Sequence, residues 1–242
     1  MTIPVDLLLG RDDSVMALCD AVPVHQNIIA PLSQLKAAAK QQGFELRVVS
    51  GYRSFGRQMA IWNAKASGQR PVLDSSGKPL ELQALSAKQI VDAILRWSAL
   101  PGASRHHWGS DIDVYDAAAV SDNYKVQLTP AEVDDKGVFG PMHKWLDQCF
   151  AAGEGFGFFR PYNVDRGGIA PERWHLSYAP LAQSCDAGHS PLLLREALLA
   201  CPELSLREVV LQELDEIYGR YIAVPASCYP PQWRPVKPGG AV

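Results

Sequence analysis

This chain has no basic surplus. Its 23 Lys and Arg face 26 Asp and Glu, a formal net charge of −3 with the six histidines neutral, and no Lys/Arg run offsets that balance. Proteins that work by neutralising phosphate cluster positive charge on one face, so nucleic acid is excluded as the main partner. Long apolar runs are missing too: nothing approaches the ~20 apolar residues of a membrane span. Residues 1–14 hold no Lys or Arg before Arg11, and their short apolar patch, residues 5–9, is interrupted by Asp6. A secretory signal has a positive start and a longer apolar stretch. The expected location is therefore cytoplasmic, or periplasmic if a leader has been removed. The five cysteines, Cys19, Cys149, Cys185, Cys201 and Cys228, share no CxxC or other ligand spacing. Reduced thiols are expected rather than a disulfide framework. Neither HExxH nor GxSxG occurs, which removes the common zinc-protease helix and the serine-hydrolase elbow.

What is present is an ordinary globular composition, 47% hydrophobic and 20% charged over 242 residues. A chain of this size buries roughly 70–75% of its unfolded surface and needs no metal merely to hold a core. Any metal is therefore suspected of chemistry. Leu32, Leu35, Ala38 and Ala39 form one stripe of a helix expected over 31–42, stopped by Gly43. A strand over 44–49 runs into Ser50-Gly51-Tyr52-Arg53-Ser54, and a helix follows over 55–66. Residues 68–85, with Pro71, Gly77 and Pro79, read as a loop or weak hairpin. Ser86 with Gln89 forms a capping box for a helix over 86–99. A strand is expected over 110–115, a helix start at Thr129-Pro130, and a helix over 141–152 closed by Gly153. Helices over 191–200 and 206–222 follow, the second opened by Ser205 with Glu208, and then a Pro-rich tail held down by Tyr229 and Trp233. No repeat or linker divides the chain. The expectation is one domain over 1–242: a core over 25–180, a helical addition over 181–223 and the tail over 224–242.

Two segments carry chemistry. Ser104-Arg105-His106-His107-Trp108-Gly109-Ser110-Asp111-Ile112-Asp113 packs two imidazoles and two carboxylates beside a strand, and Glu172-Arg173-Trp174-His175 adds one of each. Singly, such pieces are usually solvated loops and polar strand edges. Together they offer a zinc site. Hydrolytic zinc is typically held by three His, Asp or Glu side chains, with a fourth position for water. Two histidines and one aspartate leave a net charge of about +1, and Glu172 is then available to take a proton. His107 has the wrong phase for ligation and reads as a supporting or surface residue. His25, His143 and His189 read as structural. Residues 153–157, Gly-Glu-Gly-Phe-Gly, follow a helix and read as a turn with a close backbone approach, not a phosphate loop.

In order and spacing, Ser50-Gly51-Tyr52-Arg53-Ser54, Ser104-x-His106-x-x-Gly109 through Asp113, and Glu172-x-Trp174-His175 resemble the VanY-type D-alanyl-D-alanine carboxypeptidases. These belong to the wider group of lysostaphin, D-Ala-D-Ala peptidases and the hedgehog signalling domain. The resemblance covers about residues 25–180. It implies an α+β fold in which a small antiparallel sheet, flanked by helices, carries one Zn2+ per chain. It implies His106, Asp113 and His175 as ligands, Glu172 as general base and Arg53 as a stabiliser of the oxyanion. Gln58 falls at a substrate-contacting position, Ser104 lines the site, and Trp174 packs the strand. The family usually has a small residue where this chain has Asp111, which shares a strand face with Asp113 by the period of two. The step of seven residues from His106 is the family's, so the resemblance favours Asp113, and Asp113→Ala should lose zinc while Asp111→Ala should keep it. Glu172 and His175 are an odd number apart, which requires a bend near Pro171.

The resemblance further implies a peptidoglycan stem peptide or muropeptide as substrate. With the expected location, it points to an LD-carboxypeptidase that trims tetrapeptide to tripeptide during wall recycling. The alternatives are a DD-carboxypeptidase or a D-Ala-D-Ala dipeptidase acting on pentapeptide. A non-catalytic zinc-binding module is disfavoured by the presence of Glu172 and Arg53. A structural zinc is disfavoured because no cysteine lies near the motifs.

Overall fold

A computed structural model describes residues 3–75 and 77–234. In chain order it contains α1 (Val5–Leu8), β1 (Met16–Cys19), β2 (Val22–His25), α2 (Ile29–Gln41), β3 (Leu46–Ser50), α3 (Phe55–Ala66), α4 (Ala87–Leu95) and β4 (Asp111–Asp116). Then come α5 (Pro130–Val133), α6 (Gly140–Ala152), β5 (Phe158–Phe159), β6 (His175–Tyr178), α7 (Ala179–Gly188), α8 (Pro191–Leu199), α9 (Arg207–Gln212) and α10 (Leu214–Ile217). The fold is α+β, as expected. Among the described residues no helix is long and apolar enough to cross a membrane, and all five cysteines are unpaired.

The central sheet is antiparallel with strand order β3-β4-β6-β5. Alternation of side chains gives it two different faces. Val48, Ile112, Val114, Phe158 and Leu176 form an apolar face that packs on Leu32, Leu35 and Ala39 of α2 and Met142 and Leu146 of α6. Full burial of each such side chain stabilises the fold by about 1.5–3 kcal/mol. The other face carries Asp111, Asp113, His175 and Ser177, which are buried although polar. The register sets Asp113 opposite both Ser50 and His175, and Asp111 opposite Ser177. A second apolar cluster joins α3, α4, α8, α9 and α10 around Trp62, Ile94, Leu95, Leu198 and Leu214.

Several elements differ from expectation for identifiable reasons. Helix α2 starts at Ile29 because a short 3-10 turn, Gln26–Ile28, precedes it, capped by His25, whose ring accepts from the Asn27 N–H at 3.1 Å. Helix α4 has the capping box of Ser86 and Gln89 but ends at Leu95. Beyond it the chain turns so that Ser98 and Ala99 border the central cavity. The single helix expected over 206–222 is instead α9, α10 and a π turn at Tyr218–Ile222. Ser205 does not cap it. Its carbonyl accepts from Trp62 Nε1 at 2.9 Å and its N–H donates to Asn63 Oδ1 at 2.9 Å, so α3 holds the backbone that a cap would have used, and Leu206 takes φ +62°.

The β1–β2 hairpin was not foreseen. It turns at Asp20 and Ala21, both at positive φ, without the glycine that usually marks such turns. The Asp20 carboxylate accepts from the Val48 N–H at 2.9 Å, tying the hairpin to β3. The 68–85 segment contains a weak hairpin, bridged at Leu73 and Pro79. Of the tail expected over 224–242, residues 235–242 lie outside the described residues. The rest forms two 3-10 turns with Tyr229 buried and Trp233 packed beside it.

Candidate active site

His106 lies in a 3-10 turn, Arg105–Trp108, ended by Gly109 at φ +63°. A Cβ at Gly109 would stand 2.5 Å from Met16 Sδ and 2.7 Å from the His25 nitrogen, so only glycine lets the turn close against the hairpin. His106 Nδ1 is 2.8 Å from the Gly51 carbonyl, which fixes the proton on Nδ1. Its Nε2 then faces Asp113 Oδ2 at 3.5 Å. His175 is held in the opposite sense. Its Nε2 is 3.0 Å from Asp111 Oδ1, while Nδ1 is 3.2 Å from Asp113 Oδ1 and 3.7 Å from Glu172 Oε2.

Donor atoms of His106, Asp113 and His175 all lie within 4.8 Å of one another, and the three residues are buried. Asp113 Oδ1 and His175 Nδ1 are buried without a hydrogen bond. Two imidazole nitrogens and a carboxylate that converge with unsatisfied atoms form a donor set that fits a divalent cation.

Glu172 reaches this cluster through a bend. Its N–H donates to the Tyr162 carbonyl at 3.0 Å and its carbonyl accepts from the His175 N–H at 3.1 Å, so β6 begins after the turn and the odd spacing is absorbed. Burial pushes the Glu172 carboxyl up to about 7, with Asp113 adding to the rise and His175, Arg53 and Lys65 opposing it. Burial alone would also raise Asp113, but His106, His175 and Arg53 hold it down at about 2. For His175, burial disfavours the imidazolium, yet the flanking carboxylates of Asp111 and Asp113 outweigh it and raise the ring to about 10, so a metal at Nδ1 would take the place of a proton.

The Arg53 guanidinium donates to Gln58 Oε1 at 3.0 Å and Ser50 Oγ at 3.4 Å. Its backbone is fixed as well: its N–H donates to the His106 carbonyl at 3.0 Å and its carbonyl accepts from His107 Nδ1. His107 Nε2 in turn accepts from the Gly102 N–H at 2.9 Å. His107 is therefore a brace for Arg53. The resulting cavity, about 270 Å³, is lined by Arg53, Lys65, Ser104, His106, Asp113, Tyr162, Glu172 and His175 among others.

With this geometry in view, the sequence profile of the VanY family, D-alanyl-D-alanine carboxypeptidase, matches residues 22–181. The chain belongs to this family. VanY-family members are peptidoglycan carboxypeptidases and related peptidases. Over 66 residues the chain is 48% identical to an uncharacterised protein of Haemophilus influenzae, covering 27% of this chain and 45% of that one. Over 170 residues it is 26% identical to a D-alanyl-D-alanine carboxypeptidase of Enterococcus faecalis, covering 69% of this chain and 52% of that one. The chain thus spans about half the length of these relatives. A solved structure of a vancomycin-resistance D,D-pentapeptidase VanY variant in complex with Zn(II) is similar at 24% identity and TM-score 0.48, covering 76% of this chain and 88% of that one.

Against the VanY-like expectations, His106, Asp113, His175, Glu172, Arg53 and Ser104 meet at one cavity. Gln58 does not. It is fully buried, and its side chain is spent on Arg53, on the Ala99 carbonyl at 2.7 Å and on Ser98 Oγ at 3.3 Å. It orients Arg53 and does not line the cavity. Trp174 packs with Val133 and Phe139 and also borders the cavity. Sequence reasoning missed Lys65, which lies seven residues after Gln58 on α3 and lines the cavity with no ion-pair partner among the described residues. Its position two helical turns from Gln58 was the available signal.

Proposed function

We propose that this chain is a zinc-dependent LD-carboxypeptidase that removes the terminal D-Ala from peptidoglycan stem tetrapeptide, in the cytoplasm, during wall recycling. The carrying observation is the convergence of His106 Nε2, Asp113 and His175 Nδ1, two of whose atoms are buried without a hydrogen bond, beside Glu172 with a carboxyl raised to about 7. One zinc bound there supplies Lewis acidity, lowering the pKa of water towards 7 and polarising a carbonyl. Glu172 Oε2 takes the proton from the attacking water and returns it to the departing amine nitrogen. A carboxyl near the working pH suits both transfers. Arg53, fixed by Gln58, Ser50 and His107, presents positive charge to the oxyanion that develops at the scissile carbonyl. Lys65, a cation of the cavity wall that, unlike Arg105, has no ion-pair partner among the described residues, holds the free carboxylate of the D-Ala being released, and Ser104 adds a hydroxyl to the wall.

Thiol usage supports the recycling assignment, since five unpaired cysteines, three of them buried, suit a reducing compartment. Tetrapeptides that return from the wall during recycling would meet the enzyme in that setting. A DD-carboxypeptidase is the second reading, favoured by the activity named for the Enterococcus faecalis relative. The test is to give the purified protein tetrapeptide and pentapeptide muropeptides and follow their masses. Loss of one alanine from tetrapeptide is expected. Turnover of pentapeptide alone supports the DD reading, and loss of two residues together indicates a dipeptidase.

A further inference from the structure

We propose that Asp111 is a positioning residue for the metal ligand His175, and that residues beyond the VanY match latch it in place through Arg105. The inference rests on the zinc reading of the His106, Asp113 and His175 cluster. Asp111 is fully buried on β4, two residues before Asp113 and on the same face. Its oxygens are committed elsewhere. Oδ1 accepts from Arg105 Nε at 2.8 Å and lies 3.0 Å from His175 Nε2, while Oδ2 accepts from Ser110 Oγ at 2.6 Å. Asp111 therefore stands behind the imidazole and Asp113 in front of it. A ring has two nitrogens, and the one facing Asp111 must carry the proton to donate to it. When His175 ligates a metal, Nε2 would keep the proton shared with Asp111, and Nδ1, which faces Asp113 and Glu172, would give up its proton to become the donor. A carboxylate in this place fixes both tautomer and ring orientation and strengthens the opposite nitrogen as a donor.

A buried carboxylate needs its own compensation, and Arg105 supplies it. Its guanidinium, also buried, donates to both oxygens of Asp186 at 3.1 and 2.9 Å and to Ser177 Oγ at 2.9 Å, and lies 4.6 Å from the Trp108 ring. The Tyr229 hydroxyl donates to Asp186 and lies beside Arg105. Asp186 is on α7 and Tyr229 is in the buried part of the tail, whereas the family match ends at 181. One arginine thus balances two aspartates, leaving net negative charge behind His175. The chain segment that supplies the second aspartate and the tyrosine is joined by an unbroken set of hydrogen bonds to a ligand of the centre.

The test measures zinc affinity of the full chain by competition with a chromophoric chelator, alongside the visible spectrum of the Co(II)-loaded protein. Asp111→Asn keeps the shape and removes the charge. It is expected to weaken zinc binding about 10- to 100-fold and to shift the cobalt absorption bands, which mere loosening of the core would not do. Tyr229→Phe removes one hydroxyl far from the ligands and serves where Asp111→Asn fails to fold. Weaker zinc binding in the same direction is expected. Wild-type affinity and an unchanged cobalt spectrum in a folded Asp111→Asn protein, or in Tyr229→Phe where that variant alone folds, overturn the inference while leaving the zinc reading intact. A wild-type chain that binds no zinc overturns both.

Discussion

Replacing Lys65 by Met removes a cation from the cavity while keeping an unbranched apolar stem of similar length. Lys65 borders the same space as Arg53 and Glu172 and has no ion-pair partner among the described residues, so its ammonium is available to a carboxylate brought by substrate. A hydrogen bond between charged partners contributes about 1.5–3 kcal/mol. Lys65 is only partly buried, and solvent screening places it at the low end of that range. The expected loss is ~1.5 kcal/mol, or about tenfold in KM for a D-Ala-terminated peptide. The pH profile carries a second signature. Burial lowers the Lys65 ammonium to about 8, with Glu172 opposing the fall and Arg70 and Arg53 adding to it. Below that pH the side chain is charged and binds a carboxylate; above it the charge is lost. In wild type, kcat/KM should therefore fall as pH rises through 8, whereas in Lys65→Met it should be low and carry no such limb. Release of D-Ala followed from about pH 6 to about pH 10 measures both, since kcat/KM reports groups of the free enzyme. A Met variant with wild-type KM, or one that keeps the limb near 8, refutes the reasoning.

Other substitutions probe the rest of the site. Glu172→Gln should lower kcat by about 10²- to 10⁴-fold while zinc content, read by atomic emission, stays at the wild-type level. Gln58→Ala leaves the Ala99 carbonyl and an Arg53 N–H without their partner. Chemical denaturation should show a loss of about 1–3 kcal/mol, and kcat should fall because Arg53 is no longer held. Gly109→Ala forces a side chain into a left-handed conformation against Met16 and the His25 backbone; the conformation alone costs about 1–2 kcal/mol. Equilibrium unfolding should show at least that loss.

The ligand cluster was legible through the family resemblance, because strand alternation alone places Asp111 and Asp113 on one face and does not choose between them. Asp113 and His175 lie opposite one another in adjacent antiparallel strands, and the glycine that ends the His106 turn stands in the motif itself. Gln58 and Lys65 were not separable in that way. Both lie on α3, and which of them reaches the cavity depends on where the chain turns after α4, a long-range fact that spacing does not encode. The same holds for Ser205, whose capping pattern is overridden by Trp62 and Asn63, and for Asp111, whose partner Arg105 is tied to Asp186 and, through it, to Tyr229. Local signals such as the Ser86 capping box and the Gly153 stop were reliable because their energetics are contained within a few residues.

Stepwise return of zinc to the chelator-treated protein tests the central claim most directly. Release of D-Ala from tetrapeptide should be absent without metal and should rise in proportion to added zinc. It should level off at one equivalent per chain in wild type and stay absent in Asp113→Ala at the same zinc concentrations. Turnover that survives chelation, or that Asp113→Ala regains at one equivalent, contradicts a catalytic zinc held by His106, Asp113 and His175.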